Sequence, residues 1–134
     1  MKRFELLEHT ADTGLIAYGH NLAEAFANAA YGLFSIMAEL DGVREVESQM
    51  VAVSAEDTES LLFNWLNELI YVFELERRLL KRFDIIEFDE RWLKAECWGE
   101  KYNSSRHQLK SGVKSATYHM LKIDKDQVRV IFDV

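Results

Sequence analysis

Ser54-Ala55-Glu56-Asp57-Thr58-Glu59-Ser60-Leu61-Leu62-Phe63-Asn64-Trp65-Leu66-Asn67-Glu68-Leu69-Ile70-Tyr71-Val72-Phe73 is the stretch whose reading decides the fold. Ser54 followed by Asp57 matches a helix-start signature, in which an oxygen side chain satisfies an amide that the first turn leaves free. Leu61, Leu62, Trp65, Leu66, Leu69 and Phe73 then recur at the spacing that lines one helical face. The stretch predicts a long helix that buries one side and needs a partner layer.

Upstream, Asn21 with Glu24 opens a second helix, on which Leu22, Phe26, Ala29, Ala30, Leu33 and Met37 form an apolar stripe ending before an Asp41-Gly42 turn. Before it, Phe4 to Glu8 and Leu15 to Tyr18 read as strands joined by the segment His9 to Gly14. Between the helices, Gln49 to Val53 has strand character, while residues 43–48 show no decisive pattern.

Downstream of the basic stretch Arg77 to Arg82, the segments Asp84 to Phe88 and Trp92 to Trp98 flank Asp89-Glu90-Arg91 as a hairpin. A polar loop through Asn103, Ser105, Arg106 and His107 leads to a strand from Lys114 to Leu121. After the turn Asp124-Lys125-Asp126, Val128 to Asp133 closes the chain. The element order predicts an α+β domain of two long helices packed on a mixed, largely antiparallel sheet. Each half holds a long apolar helix followed by extended segments, an echo of internal duplication without a repeat of fixed period.

The sequence has 134 residues, 49% of them hydrophobic, with no proline and 6 glycines, so residues 1–134 are expected to form one domain. Lys and Arg total 16 against 23 Asp and Glu. A net charge of −7 disfavours tight nucleic-acid binding unless basic residues are segregated into a patch. The single cysteine, Cys97, has no partner for a disulfide or a zinc knuckle and reads as a buried thiol in a reducing, cytoplasmic setting. No apolar run reaches the length of a membrane span.

Two regions concentrate polar chemistry. The segment His9-Thr10-Ala11-Asp12-Thr13-Gly14 lies on a connection, where local sequence alone reads Asp12 first as a turn residue bonding its own backbone. Gly14 permits backbone geometry that other residues avoid. At the other end, Asp133 and the carboxylate of Val134 place two negative groups side by side, which calls for solvent, a cation or a basic side chain. With only oxygen donors in Asp12, Asp133 and Val134, a bound ion would be calcium, magnesium or manganese rather than zinc. His9 is either a further ligand or a hydrogen-bonded structural residue.

The second region runs from Val113 to His119. In a regular strand Lys114 and His119 point to opposite faces and need a bulge to act together. Each reads equally as a surface or cross-strand residue, and Arg106 and His107 as loop residues available for binding. No phosphate loop, nucleophile elbow or paired-histidine zinc motif is present.

The His9-Thr10-Ala11-Asp12 and Gly14 segment, the Leu61 to Leu69 helix with Trp65-Leu66-Asn67-Glu68, Val113-Lys114 to Tyr118-His119, and the Asp133-Val134 end together resemble the archease family over nearly the whole chain. One departure is Thr13, at a position often aliphatic in that family. The resemblance implies an accessory protein of the RtcB-type RNA-splicing ligase, acting in tRNA splicing and RNA repair. Such a protein promotes GTP-dependent guanylation of the ligase and its repeated turnover, and meets RNA only indirectly. It also implies a divalent metal, calcium first, held by Asp12, Asp133 and Val134. Lys114 and His119, then Arg106 and His107, are the candidate ligase contacts. Two other readings are a stand-alone metal-dependent phosphoesterase or nuclease, and a chaperone-like module using exposed apolar residues such as Trp92.

Overall fold

The computed structural model describes residues 2–8 and 13–134. The elements follow the expected order: β1 Phe4–Glu8, β2 Thr13–Tyr18, α1 Leu22–Met37, β3 Glu47–Ser54, α2 Thr58–Glu76, β4 Arg78–Asp89, β5 Trp92–Lys101, β6 Ser115–Ile123 and β7 Gln127–Asp133. A short 3₁₀ turn, Leu40–Gly42, occupies the Asp41-Gly42 position.

The strands divide into two sheets, one ordered β1-β2-β7-β6 and the other β3-β5-β4. Every pairing between these strands is antiparallel. Each helix packs on both sheets, α1 on β2 and β4, and α2 on β6 and β3. The α+β architecture is therefore as the hydrophobic spacing predicts, and the division into two sheets is what local sequence does not reveal.

The helices form where their caps and stripes place them. Asn21 Oδ1 accepts the Glu24 N–H at 2.9 Å. On α2 the cap is Asp57, whose Oδ1 accepts the Ser60 N–H at 2.8 Å. Ser54 ends β3 instead, and its carbonyl accepts Asn64 Nδ2 at 2.9 Å. Leu61, Leu62, Trp65, Leu66 and Leu69 are fully buried on one face of α2, as are Phe26, Ala29, Ala30 and Leu33 on α1.

Trp65 couples the layers. Its Nε1 donates to the Phe26 carbonyl of α1 at 3.0 Å, and its ring meets Phe83 of β4 edge-on at 6.2 Å. Phe83 also stacks on Phe34 of α1, with ring centroids 5.9 Å apart. One aromatic cluster thus holds both helices against the three-stranded sheet, and its indole N–H is satisfied in the core.

Strand β4 starts earlier than its charges suggest. The basic run lies within it from Arg78 on, because Arg78 pairs with Glu47 and Glu76, and Arg82 with Glu45 and Asp84, while Arg77 caps the end of α2. Leu79 and Leu80 meanwhile enter the core. Opposite Leu80 sits Gly99, where a Cβ would meet the Leu79 carbonyl oxygen at 1.8 Å. Backbone cannot yield at that distance, so Gly99→Ala should destabilise the fold by about 1–3 kcal/mol or more. Urea unfolding would show this as a lower midpoint with an unchanged slope.

Candidate functional site

The two ends of the described chain meet on neighbouring strands. Thr13 pairs with Phe132, Gly14 with Ile131 and Leu15 with Val130. The residue that follows Asp12 in sequence is therefore opposite the residue that precedes Asp133. Asp12 and His9 themselves lie outside the described residues. Gly14 serves a different purpose from the one its sequence suggests. It sits in an extended strand, and a Cβ there would come 2.5 Å from Ile131 Cδ1 and 3.0 Å from the Val130 carbonyl oxygen, so glycine leaves the Ile131 side chain its place over β2.

At the β7 end, Asp133 and Val134 are exposed, Val134 at 42%. Both offer oxygen donors, the type a hard divalent ion takes, and solvent reaches them. Asp133 pairs with Ser115, and its carbonyl accepts the Lys114 N–H at 2.8 Å, which fixes the Lys114 backbone beside the acidic end. The Lys114 side chain is exposed. Among the described residues, no group of three His, Cys, Asp or Glu side chains is placed to hold a metal.

Strand β6 is irregular between Thr117 and Lys122. Thr117 pairs with Ile131 and Lys122 with Arg129, so residues 118–121 face only Val130 across the ladder. Met120 takes φ 56°, the left-handed region that a non-glycine residue enters only when its surroundings hold it there. Arg129 Nε donates to the Met120 carbonyl at 2.9 Å, which supplies that hold. Tyr118, His119 and Met120 are all exposed on the bulge.

Arg106 and His107 have structural engagements. Glu100, only 5% exposed, is gripped by the Arg44 N–H at 2.8 Å, by His107 Nε2 at 2.9 Å and by the Arg106 guanidinium. His107 Nδ1 accepts the Asn103 N–H at 2.9 Å, so Nε2 carries the proton that Glu100 receives. Its side chain is fully buried and both nitrogens are used within the fold, which takes His107 out of direct contact with any partner. Arg106 remains 35% exposed.

This cluster fastens the loop, whose next residues cap α1. The Lys110 and Ser111 N–H groups bond to the Met37 and Ile36 carbonyls, and Lys110 Nζ bonds to Ser35. Helix ends leave such carbonyls unpaired, and here a distant segment supplies the donors. Glu100, Asn67 and Asn28 are the residues that sequence reasoning missed. Asn67 Oδ1 accepts the Ala116 N–H, docking β6 on α2. Asn28 bridges Arg3 and the Tyr18 carbonyl. The signal for both was an amide interrupting a helix otherwise rich in apolar residues. Cys97 is fully buried, and burial first, then Asp84 and Glu96, push its thiol up to about 12, so it is inert.

A domain of two helices on two antiparallel sheets, with its chain ends joined by a β2–β7 pairing, is the class these features define. A sequence model of the Archease protein family (MTH1598/TM1083) matches residues 4–134, and the chain belongs to that family. It is 41% identical to protein archease of Saccharolobus islandicus over 128 residues, covering 95% of this chain and 92% of that one. The Sulfurisphaera tokodaii archease is 39% identical, covering 92% and 90%. The solution structure of protein 1598 of Methanobacterium thermoautotrophicum superposes with a TM-score of 0.83 at 36% identity, over 100% of both chains. A Thermotoga maritima archease described as a possible chaperone has the same fold, with a TM-score of 0.65 at 21% identity, over 96% and 94%.

Burial pushes the Glu100 carboxyl up, but the Arg44 N–H, the His107 ring and the Arg106 guanidinium outweigh it and lower it to about 2. A depressed carboxylate contributes stability at neutral pH that is lost as pH falls from the ordinary range toward about 2. Glu100→Gln should therefore cost about 1–3 kcal/mol at neutral pH, and the difference from the parent should shrink in acid. Urea titrations at several pH values would measure it.

Proposed function

We propose that this chain is an accessory protein of an RtcB-type RNA-splicing ligase, promoting guanylation of the ligase and thereby its repeated turnover in tRNA splicing and RNA repair. Membership of the archease family over nearly the whole chain is the observation that carries this reading. It goes with a cytoplasmic setting and with no chemistry of the chain's own. No helix in the described residues is long and apolar enough to cross a membrane.

In this reading Asp12, Asp133 and the main-chain carboxylate of Val134 hold a divalent ion, calcium first, with magnesium and manganese also suited to oxygen donors. His9 would either join them or hydrogen-bond behind one. Support comes from the pairing of Thr13 with Phe132, which sets the neighbours of Asp12 and Asp133 opposite one another, and from the exposure of Asp133. When bound, the ion would supply positive charge for oxygens of the partner or its nucleotide. Lys114, whose backbone N–H bonds to the Asp133 carbonyl, and His119, exposed on the bulge, would be the contacts to the ligase. Arg106, 35% exposed, would be a further contact. The acidic surface elsewhere complements a ligase whose nucleotide and RNA channel must be basic.

A second reading, a chaperone-like binding module, is favoured by Met50 and Trp92. They are 47% and 37% exposed and lie on the same face of the three-stranded sheet.

Incubating the ligase with GTP and metal, with and without this protein, tests the proposal. Guanylate formation over several turnovers should rise with it, and equal rates would overturn the activator reading. Asp133→Asn should reduce the stimulation by about tenfold or more while leaving the fold intact. Full stimulation by that variant would remove the metal edge from the account.

A further inference from the structure

The two sheets end in four edge strands, β1 and β6 on one and β3 and β4 on the other. An edge exposes unpaired backbone N–H and C=O groups, and folds usually blunt it by shortness, bulges, charge or proline. Three of these edges are blunted. β1 has five residues and carries Glu5, β4 breaks register twice, and β6 breaks it at its bulge. β3 differs from them. It pairs with β5 over eight consecutive residues without a shift, and from Ser48 to Ser54 it holds no charged residue, proline or glycine.

The register shows which backbone groups β3 leaves free. The Ala55 N–H bonds to the Arg91 carbonyl at 3.0 Å, and the ladder continues through Val53–Leu93, Val51–Ala95 and Gln49–Cys97. Hydrogen-bonded pairs alternate in an antiparallel ladder, so Ser48, Met50, Ala52 and Ser54 direct their backbone groups away from β5. One of these groups is used, the Ser54 carbonyl, which accepts Asn64 Nδ2 from α2. At the other end of β3, Arg78 joins Glu47 to Glu76 of α2. Helix α2 therefore runs alongside β3 in the opposite direction. A hollow of about 450 Å³ opens between them, lined by Val53, Ser54, Asn64, Asn67, Glu68 and Tyr71.

Charge decides what fits. Residues 45–76 hold eight Asp and Glu and no Lys, Arg or His. Glu68 is exposed and has no ion-pair partner among the described residues. Tyr71, which lines the hollow with it, is 56% exposed. Side chains of an added strand would alternate, half on the α2 side with Val51 and Val53 and half on the outer face with Met50 and Ala52. Both outer residues are exposed. A second copy of this chain is a poor occupant, because pairing β3 with itself brings two of these carboxylate-rich segments together.

We propose that β3 and α2 form a docking groove for an extended basic segment of a partner protein, which adds to the three-stranded sheet as a fourth strand. Its backbone pairs with Ser48, Met50 and Ala52, which supplies affinity irrespective of side chain. Its alternate Lys or Arg side chains lie along Val53 and the Tyr71 ring and end at Glu68. Apolar residues between them cover Met50 and Ala52. The groove uses neither the chain end nor the bulge of β6, so it stands independently of the ligase reading.

A capped octapeptide alternating Lys and Val, titrated into the isotope-labelled protein and followed by amide NMR, tests this. The Ser48, Met50 and Ala52 amide signals should shift saturably and become protected from solvent exchange. Ala52→Pro removes an outward amide, leaves every bond to β5 in place and should abolish the shifts. Glu68→Lys, at an exposed position, keeps the whole edge. It should weaken the Lys–Val peptide by about tenfold and strengthen binding of a Glu–Val peptide. Shifts at carboxylate-bearing residues without the β3 amides would show charge attraction alone and overturn the proposal. So would binding that survives Ala52→Pro in a folded protein, or equal affinity of the parent for the two peptides. A dimer of the free protein that Ala52→Pro dissolves would also overturn it, giving the edge to a second copy.

Discussion

The pairing of β2 with β7 is the constraint on which the rest of the molecule depends. It joins residues more than a hundred positions apart, and its inward side chains, Leu15, Ala17, Val128 and Val130, are fully or almost fully buried beneath α1. Once this pair forms, β1 and β6 have a strand each to add to, and α1 has a floor. Gly14 leaves room for the Ile131 side chain, whose Cδ1 a Cβ there would meet at 2.5 Å. The same pairing sets Thr13, which follows Asp12, opposite Phe132, which precedes Asp133.

The second organising feature is the aromatic contact among Trp65, Phe83 and Phe34, which ties both helices to the other sheet. Between them these two features account for a core that two sheets share. Chain segments with little intrinsic order are then fastened by side chains. Glu100 and His107 fix the loop, and Lys110 with Ser111 completes the end of α1. The loop ends by delivering Lys114 to the carbonyl of Asp133. The position of the exposed lysine thus traces back to a buried carboxylate.

Much of this was legible in the sequence because helices and hairpins are local. The Leu61 to Phe73 stripe, the Asn21 cap and the Asp89 to Arg91 turn each carry their signal within a few residues. The two-sheet division was not legible, because whether β3 joins β5 or β2 is decided by contacts distant in sequence. Arg78 to Arg82 hid a strand, since the carboxylates that neutralise it, Glu45 and Glu47 among them, come from other parts of the chain. The capping signature pointed to Ser54, but Ser54 ends β3 and Asp57 caps α2 instead. At the site, the oxygen donors and Lys114 could be named from charge and resemblance. The bulge at Met120 could not, because no glycine or asparagine marks its left-handed turn. His107 looked available on a loop and is instead the buried partner of Glu100.

A divalent ion held by Asp12, Asp133 and the Val134 carboxylate is the proposal on which the functional reading turns. Calorimetric titration of calcium into the protein and into Asp133→Asn tests this most directly. The account predicts saturable binding of one ion, weakened about tenfold or more by the substitution. Absence of binding to the parent protein, or equal affinity in both, would contradict it.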